Sequence, residues 1–527
     1  MIVSANHHAS FFALLALLPA PVLAQSSAIE VGRWQPYGAR STYQRDARVP
    51  GDGALRIEPR RAAGEVWSSG AGLVIPDPLR AGEHVSAVFW ARAERPVRVT
   101  ATMNGAAPAY TALTVSPIDL TPGWRRYTIT GLAPKDLPAR SQSLTVQTGQ
   151  AAVAVSLGPV AFLPGEPDAA SVRNAFAGFR ARSVAHDVRI SSDPGVVLAG
   201  TLRTPTGHGT GPFALAILIQ GHGPNGRGGY GSLSDRLLAD GIATLEYDKR
   251  GIGASTGVYE EDIAALTRDA RAWVTAMRRR PQIDGRRIAL VGHSQGGVIA
   301  PAVAASDPMI KAVVTLAGSV GDGLPYLRRA IHNQMIAAGL AEAVVAPVVD
   351  AAGTLLQARS DGEDAETIAR LRAALTDRFV AAGFSRPRAE AALSMIDVRE
   401  AWRAEEMRSA SDLRALQIPV LAVFGSKDPL VIASDEAPEA RRALAGNPRA
   451  KVVVLEGLSH WFQEGAQTGG AEEVPKLGAN LGSPRAVSLA GDWLRAVLAP
   501  ARGNHVRATS GAGRKFPAVA TLDRRDR

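Results

Sequence analysis

The chain has 527 residues, too many for one ordinary domain, and its 46% hydrophobic and 20% charged content suits packed cores rather than wholesale disorder. It contains no cysteine, which excludes disulfides, thiolate metal sites, a cysteine nucleophile and a lipidated cysteine. The net charge is +10, but residues 501–527 hold seven basic side chains against two acidic ones, so half the excess lies in a tail without apolar periodicity. That tail reads as a solvated, disordered end, and no nucleic-acid motif accompanies it.

Taken in order, the chain opens on Phe11-Phe12-Ala13-Leu14-Leu15-Ala16-Leu17-Leu18, followed by a proline and Val22-Leu23-Ala24. An apolar core ending in small residues is the layout of a secretory signal over residues 1–24, cleaved after Ala24, although no Lys or Arg precedes it. About 14 apolar residues fall short of the ~20 that span a bilayer. The expectation is a secreted or periplasmic mature chain without stable membrane insertion.

From about Val31 to Phe162 the sequence reads as strands. Val85–Trp90, Val97–Ala101, Arg125–Ile129, Ser143–Val146 and Ala152–Val155 are β-branched or aromatic runs punctuated by Gly and Pro, as in an all-β sandwich. The stretches AGEHVSAVFWARA (81–93), DLTPGWRRYTI (119–129) and AAVAVSLGPVAF (151–162) resemble the galactose-binding-like jelly rolls of carbohydrate-binding modules. The resemblance implies such a domain over 26–165, in which one or two tryptophans stack on sugar rings. Trp90 and Trp124 read as packing residues; Trp67, in a Ser/Gly-rich context, is the one least easily placed in a core.

Asp168 to about Arg182 reads as a linker, and an α/β pattern follows to residue 500. Val184–Ile190 and Val196–Leu202 make a hairpin, and Ala214–Ile219 a buried strand. A helix around Leu233–Asp240, the strand Ala243–Tyr247 and a helical pattern over Glu260–Arg280 come next. Further strands are expected at Arg287–Val291, Ile310–Leu316, Val420–Phe424 and Lys451–Leu455, giving a doubly wound, mostly parallel sheet. Between Leu316 and Val420 no strand stands out, while Glu366–Ala382 and Arg388–Met407 are helical patterns. So long an excursion is expected to be a helical lid, about 319–415.

Gly292-His293-Ser294-Gln295-Gly296 spells G-x-S-x-G between a buried strand and a helix of small residues. A serine on that turn is strained, with its hydroxyl pushed out of the sheet. Such a nucleophile needs a histidine base and an acid, here in the order Ser, acid, His. Of the histidines after Ser294, His332 falls in the lid and His505 in the tail, leaving His460 directly after the last strand. Asp428 follows Val420–Phe424 and is the preferred acid; Asp322 is the runner-up, and Asp435 is expected to be helical already. The oxyanion needs two backbone N–H donors. Gln295 is one; the other is His222, from Gln220-Gly221-His222-Gly223. His293 is expected to pack or bond locally, and Asp248 with Arg250 to lock the turn after their strand.

The motifs IQGHGP (219–224), YDKRGIGASTG (247–257), GHSQGG (292–297), GSKDPLV (425–431) and GLSHWFQ (457–463) closely resemble the α/β-hydrolase superfamily over about 184–498, lid excepted. The resemblance implies Ser294, Asp428 and His460 as a triad. Gln220 departs from the usual histidine and leaves open what braces the oxyanion loop. With no H-E-x-x-H, no histidine–carboxylate cluster and no phosphate-loop lysine near Gly226–Gly229, no metal or cofactor is expected. The expected protein is thus a serine hydrolase of carboxylic esters, small or sugar-linked, with no nucleic-acid partner. A peptidase, aminopeptidase or thioesterase of the same fold stays open, as does a carbohydrate-binding protein with an inactive hydrolase scaffold.

Overall fold

In this computed structural model the described residues are 28–500, apart from 59–64, 106–110, 139–140, 260, 338, 397–406, 471–472 and 478–479. The expected signal and the basic tail with His505 lie outside them.

The N-terminal strands are β1 (Gln35–Tyr37), β2 (Arg40–Arg45), β3 (Gly53–Glu58), β4 (Gly70–Ile75), β5 (His84–Ala93), β6 (Val97–Gly105), β7 (Ala112–Leu120), β8 (Arg125–Leu132), β9 (Gln142–Gln147) and β10 (Val155–Pro164). They form two five-stranded antiparallel sheets, β1-β4-β9-β6-β7 and β2-β3-β10-β5-β8. One core joins them, with Leu55, Ile57 and Phe89 of one sheet against Met103, Leu144 and Val146 of the other. Strand β9 alternates, burying Gln142, Leu144 and Val146, as a sheet with one solvated face requires. The all-β expectation holds, with one correction: the strand expected at Ala152–Val155 begins at Val155 and runs to Pro164. Pro159 cannot donate to the ladder, and the register shifts between Leu157 and Val160, which hides the strand from a pattern search. Trp34 is fully buried and Trp67 is 63% exposed. Trp124 is half-buried and donates to Asp46 at 2.9 Å.

The supposed linker contains a helix, α1 (Ala169–Phe176), capped by Asp168 accepting from the Ser171 N–H at 2.7 Å. Two turns burying only Val172 and Ala175 are too short to show in a periodicity.

The hairpin β11 (Ser183–Ser191) and β12 (Val197–Pro205) then leads into β13 (Phe213–Ile219), α2 (Gly231–Ala239), β14 (Ala243–Tyr247), α3 (Ile263–Arg278), β15 (Ile283–His293), α4 (Gln295–Ala305) and β16 (Ala312–Leu316). Helix α3 starts where Asp262 accepts from the Ala265 N–H, a cap worth about 1 kcal/mol, and it buries Leu266, Ala270, Trp273, Val274 and Met277 on one face. Helices α5 (Gly323–Ala337), α6 (Glu342–Ser360), α7 (Ala365–Ala381) and α8 (Arg386–Ile396) follow, with a core of their own around Val345, Leu355, Leu375 and Phe379. The helix expected to run to Met407 is described only to Ile396. Helix α9 (Ser409–Ala415), β17 (Val420–Gly425), α10 (Ala433–Ala443), β18 (Ala450–Leu455) and α11 (Pro484–Val497) complete the chain. Among the described residues no helix is long and apolar enough to cross a membrane.

The eight strands order as β11-β12-β14-β13-β15-β16-β17-β18. Strand β12 is antiparallel to its neighbours, and β14 through β18 run parallel. Chain order therefore reverses at β13, whose neighbours β14 and β15 lie on opposite sides. In such sheets the crevice beyond the carboxyl ends of the strands at the reversal is the natural binding site.

The two domains are joined by a buried carboxylate. Glu30 accepts from the backbone N–H groups of Arg182 (2.6 Å) and Ser183 (3.0 Å) and from the Ser183 hydroxyl (2.7 Å). It also pairs with the guanidinium of Arg203 on β12.

Candidate active site

Ser294 sits between β15 and α4 at φ 53°, ψ −119°, a conformation that L side chains rarely adopt. It persists because the neighbours over-determine it. The Ser294 N–H donates to the Leu316 carbonyl at 2.9 Å, and its own carbonyl accepts from Gly297 at 2.8 Å. A β-carbon on Gly292 would strike the Gly296 carbonyl, and one on Gly296 would strike that of Ile219. The elbow glycines are there for close backbone approach.

Asp428 and His460 come from the loops after β17 and β18 and meet on the same rim of the sheet. The Nδ1 of His460 donates to Asp428 Oδ2 at 2.7 Å, with both side chains buried. The other oxygen, Oδ1, accepts from the backbone N–H groups of Leu430 and Val431, each at 2.8 Å. Asp428 is thereby fixed from behind, and His460 keeps its proton on Nδ1, leaving Nε2 as the basic nitrogen.

The competing residues are engaged elsewhere. Asp322 caps α9, accepting from the Ala410 and Ser411 N–H groups at 3.1 Å and from the Ser411 hydroxyl at 2.5 Å. Asp435 lies in the first turn of α10 and accepts from Asn333. His332 lies on α5, paired with Glu342 at 2.8 Å.

His293 makes a long-range bond rather than a local one. Its Nε2 donates to the His460 main-chain carbonyl at 2.9 Å, tying the elbow to the loop of His460, and the two rings lie 5.0 Å apart. Burial, reinforced by the neighbouring His460, pushes its pKa down to about 3. Because the folded value lies below the unfolded ~6.5, the unfolded chain takes up the proton first, and stability falls as pH drops below about 6.5 toward 3. His293→Gln should flatten that acid limb. Melting temperatures at pH 7 and pH 5 check it: the loss between them should be smaller in the variant, and an equal loss would contradict the assignment.

Beyond β13, Gly221 packs against Ser294; a β-carbon there would lie 3.1 Å from the serine's. This places the backbone around His222, one of the two expected oxyanion donors with Gln295, beside the elbow. The loop is braced from three directions. Gln220 donates its amide to the carbonyls of Gly226 and Tyr247, the latter at 3.2 Å. Asn225 bonds the carbonyls of Gly221 (3.0 Å) and His222 (2.8 Å). Glu261 accepts from the Gly223 N–H at 2.7 Å.

Glu261 had no sequence signal, yet it is the hub of this rim. Besides Gly223 it accepts from the Gln295 side chain at 2.7 Å, from Lys249 Nζ at 3.3 and 3.4 Å, and from the Tyr259 hydroxyl. Lys249 also donates to Gln295 Oε1 at 2.9 Å. Burial opposes ionisation of Glu261, but Lys249 and the Tyr259 and Gln295 hydrogen bonds outweigh it and hold its pKa below the usual value. One carboxylate thus links both segments that carry the candidate donors. Asp248 and Arg250 are scaffold, but with separate partners: Asp248 pairs with Arg227 at 2.7 Å, Arg250 with Asp269 at 2.7 Å. Among the described residues no group of three His, Cys, Asp or Glu could hold a metal ion.

Residues 212–463 match the family described as serine aminopeptidase, S33. A thiohydrolase of Arthrinium phaeospermum is 38% identical over 80 residues, 15% of this chain and 26% of that protein. A polyketide transferase of a Penicillium species is 30% identical over 146 residues, 24% of this chain and 49% of that protein. The chain therefore spans half the length, or less, of these curated relatives. An esterase structure from Pyrococcus furiosus is 16% identical over 60% of this chain and 93% of that one, with a TM-score of 0.38. The sheet order with its reversal at β13 and the glycine-flanked serine after β15, in the stretch that carries the family match, give this part of the chain the α/β-hydrolase fold.

Proposed function

We propose that the chain hydrolyses carboxylic esters through an acyl-enzyme. Ser294 Oγ attacks the ester carbonyl while His460 Nε2 takes its proton, and Asp428 holds the imidazole in the required tautomer and stabilises the imidazolium. The oxyanion is held by the main-chain N–H groups of His222 and Gln295. His460 returns the proton to the departing alcohol, then activates a water that releases the acid and restores Ser294. The observation carrying this reading is the buried 2.7 Å Asp428–His460 pair on the rim that bears Ser294 in its strained turn.

Helix α5 rests on the acid's loop, with Gln334 donating to the Leu430 carbonyl at 2.9 Å, which supports the role of α5–α8 as a lid that selects the acyl group. The signal-like residues 11–24 support a location outside the cytoplasm.

Amides and thioesters would follow the same steps, and the matched family and the thiohydrolase relative carry those names. The test is a matched series with one acyl group as p-nitrophenyl ester, thioester and anilide. Expected is a kcat/KM for the ester at least roughly tenfold above that for the anilide, a gap of about 1.4 kcal/mol in transition-state stabilisation. A preference for the anilide would replace the esterase reading with a peptidase one.

A further inference from the structure

A cavity of about 690 Å³ opens where the sandwich meets the hydrolase rim. Gln35, Tyr37 and Gly72, from β1 and β4, form one wall. Asn225 and Gly226 of the loop after β13, with Gln463 beyond His460, form the other. The volume lies in the ordinary range of small-molecule sites.

Its lining is mixed and carries no net charge, with Val74, Ile252 and Val474 beside Gln35, Ser141 and Asn480. The two charged side chains of the wall, Arg227 and Asp248, are 3% and 2% exposed and neutralise each other at 2.7 Å. Burial pushes the Tyr37 hydroxyl up to about 12, so it remains neutral at any working pH. What the walls present is apolar side chain interleaved with amide and hydroxyl groups and glycine backbone. An anionic ligand would meet no uncompensated cation here, and a pure hydrocarbon would satisfy the valines and Ile252 but strip water from the amides between them without replacing its bonds. A sugar-like polyol suits such a mixed lining, because its C–H faces cover the apolar side chains while each hydroxyl both donates and accepts.

The cavity is also coupled to the reacting centre through a single loop. Asn225, in its wall, bonds the carbonyls of Gly221 and His222, and Gly221 is the residue packed on Ser294. Gln463 stands three residues after His460 and accepts from the Ser459 hydroxyl beside it at 3.0 Å.

We propose that this cavity is a subsite for a neutral polyhydroxylated group, a sugar or similar polyol carried by the ester, and that the sandwich domain supplies half of its wall. The proposal rests on the esterase reading above. The sandwich then acts as part of the substrate site rather than as a separate binding module.

Gln35→Ala and Tyr37→Phe in the full chain test it, assayed on methyl 6-O-acetyl-glucoside and on p-nitrophenyl acetate. These share an acyl group and differ in the polyol. Each variant should lower the ratio of kcat/KM between the sugar ester and the nitrophenyl ester by roughly five- to tenfold, the loss of about one hydrogen bond. An unchanged ratio, whether both rates fall together or neither does, overturns the proposal. A binding arm separates it from the esterase reading. Ser294→Ala protein should bind methyl glucoside by saturation-transfer NMR, more weakly once Gln35→Ala is added. Absence of binding, or equal binding of glucuronate, overturns the neutral subsite, whereas sugar binding without turnover of any ester overturns the esterase reading alone.

Discussion

Ser294→Ala is expected to lower turnover of an activated ester by roughly ten-thousand-fold or more, and His460→Ala by a comparable factor. The double variant should be little worse than either single one, because nucleophile and base act as a unit and the second loss removes nothing the first has left working. Fluorophosphonate labelling should disappear in Ser294→Ala. His222→Ala is the informative contrast. Its side chain is 48% exposed, and its assigned contribution is a main-chain N–H that alanine keeps, so turnover should stay within about tenfold of the parent. A loss in His222→Ala that matches His460→Ala would show the wrong histidine has been assigned as base. Full labelling of Ser294→Ala would place the nucleophile elsewhere.

The second large effect is expected at Glu261→Gln. The substitution keeps the size of the side chain but leaves the Lys249 ammonium, 4% exposed, without its carboxylate. An uncompensated buried charge costs about 3–5 kcal/mol, enough to lower the melting temperature by many degrees. Activity should fall through kcat more than KM, because Glu261 holds the Gly223 backbone and the Gln295 side chain, which adjoin the proposed oxyanion donors, rather than the substrate itself. Adding Lys249→Met removes the orphaned charge and should restore stability but not kcat. A merely structural pair would recover both. The pH dependence has a definite sign. The folded pKa of Glu261 is depressed, so its contribution is complete above the unfolded value of about 4.3 and is lost as pH falls through the lower folded value. Wild type and variant should therefore converge in stability only once pH has fallen below that lowered folded value.

The residues legible in the sequence were those whose placement is tied to chain order. Ser294, Asp428 and His460 each follow a strand of the parallel sheet, and strands buried on both faces read as apolar runs. Ala243–Tyr247 appears as expected, and Phe213–Ile219 and Val420–Gly425 differ from expectation only at their ends. Glu261 was not legible, because its partners arrive from three different strand ends and nothing in Tyr259-Glu260-Glu261-Asp262 marks one acid over another. The same holds for Gln220. Read alone it was a departure from the usual histidine; in the fold its amide spans two carbonyls and performs the bracing that the loop requires. The strands of the first domain were only half visible. Gln35–Tyr37 and Arg40–Arg45 are short and polar and gain their stability from the sheets they join, not from a periodic pattern of their own.

Glu30 gives the first domain a status that its all-β architecture would not suggest. A tethered module can be lost, duplicated or exchanged while the partner enzyme stays intact. Here the stub of chain preceding the first strand neutralises Arg203 inside the neighbouring domain and caps the backbone at the start of its sheet. Cutting between the two would leave Arg203 with Asp235, at 3.1 Å, in place of two carboxylates, and would take the acceptor from the Arg182 and Ser183 N–H groups. The first domain is therefore part of how the second one starts its sheet, and the hydrolase part expressed from Val184 onward should be less stable than the full chain by more than the loss of a surface contact.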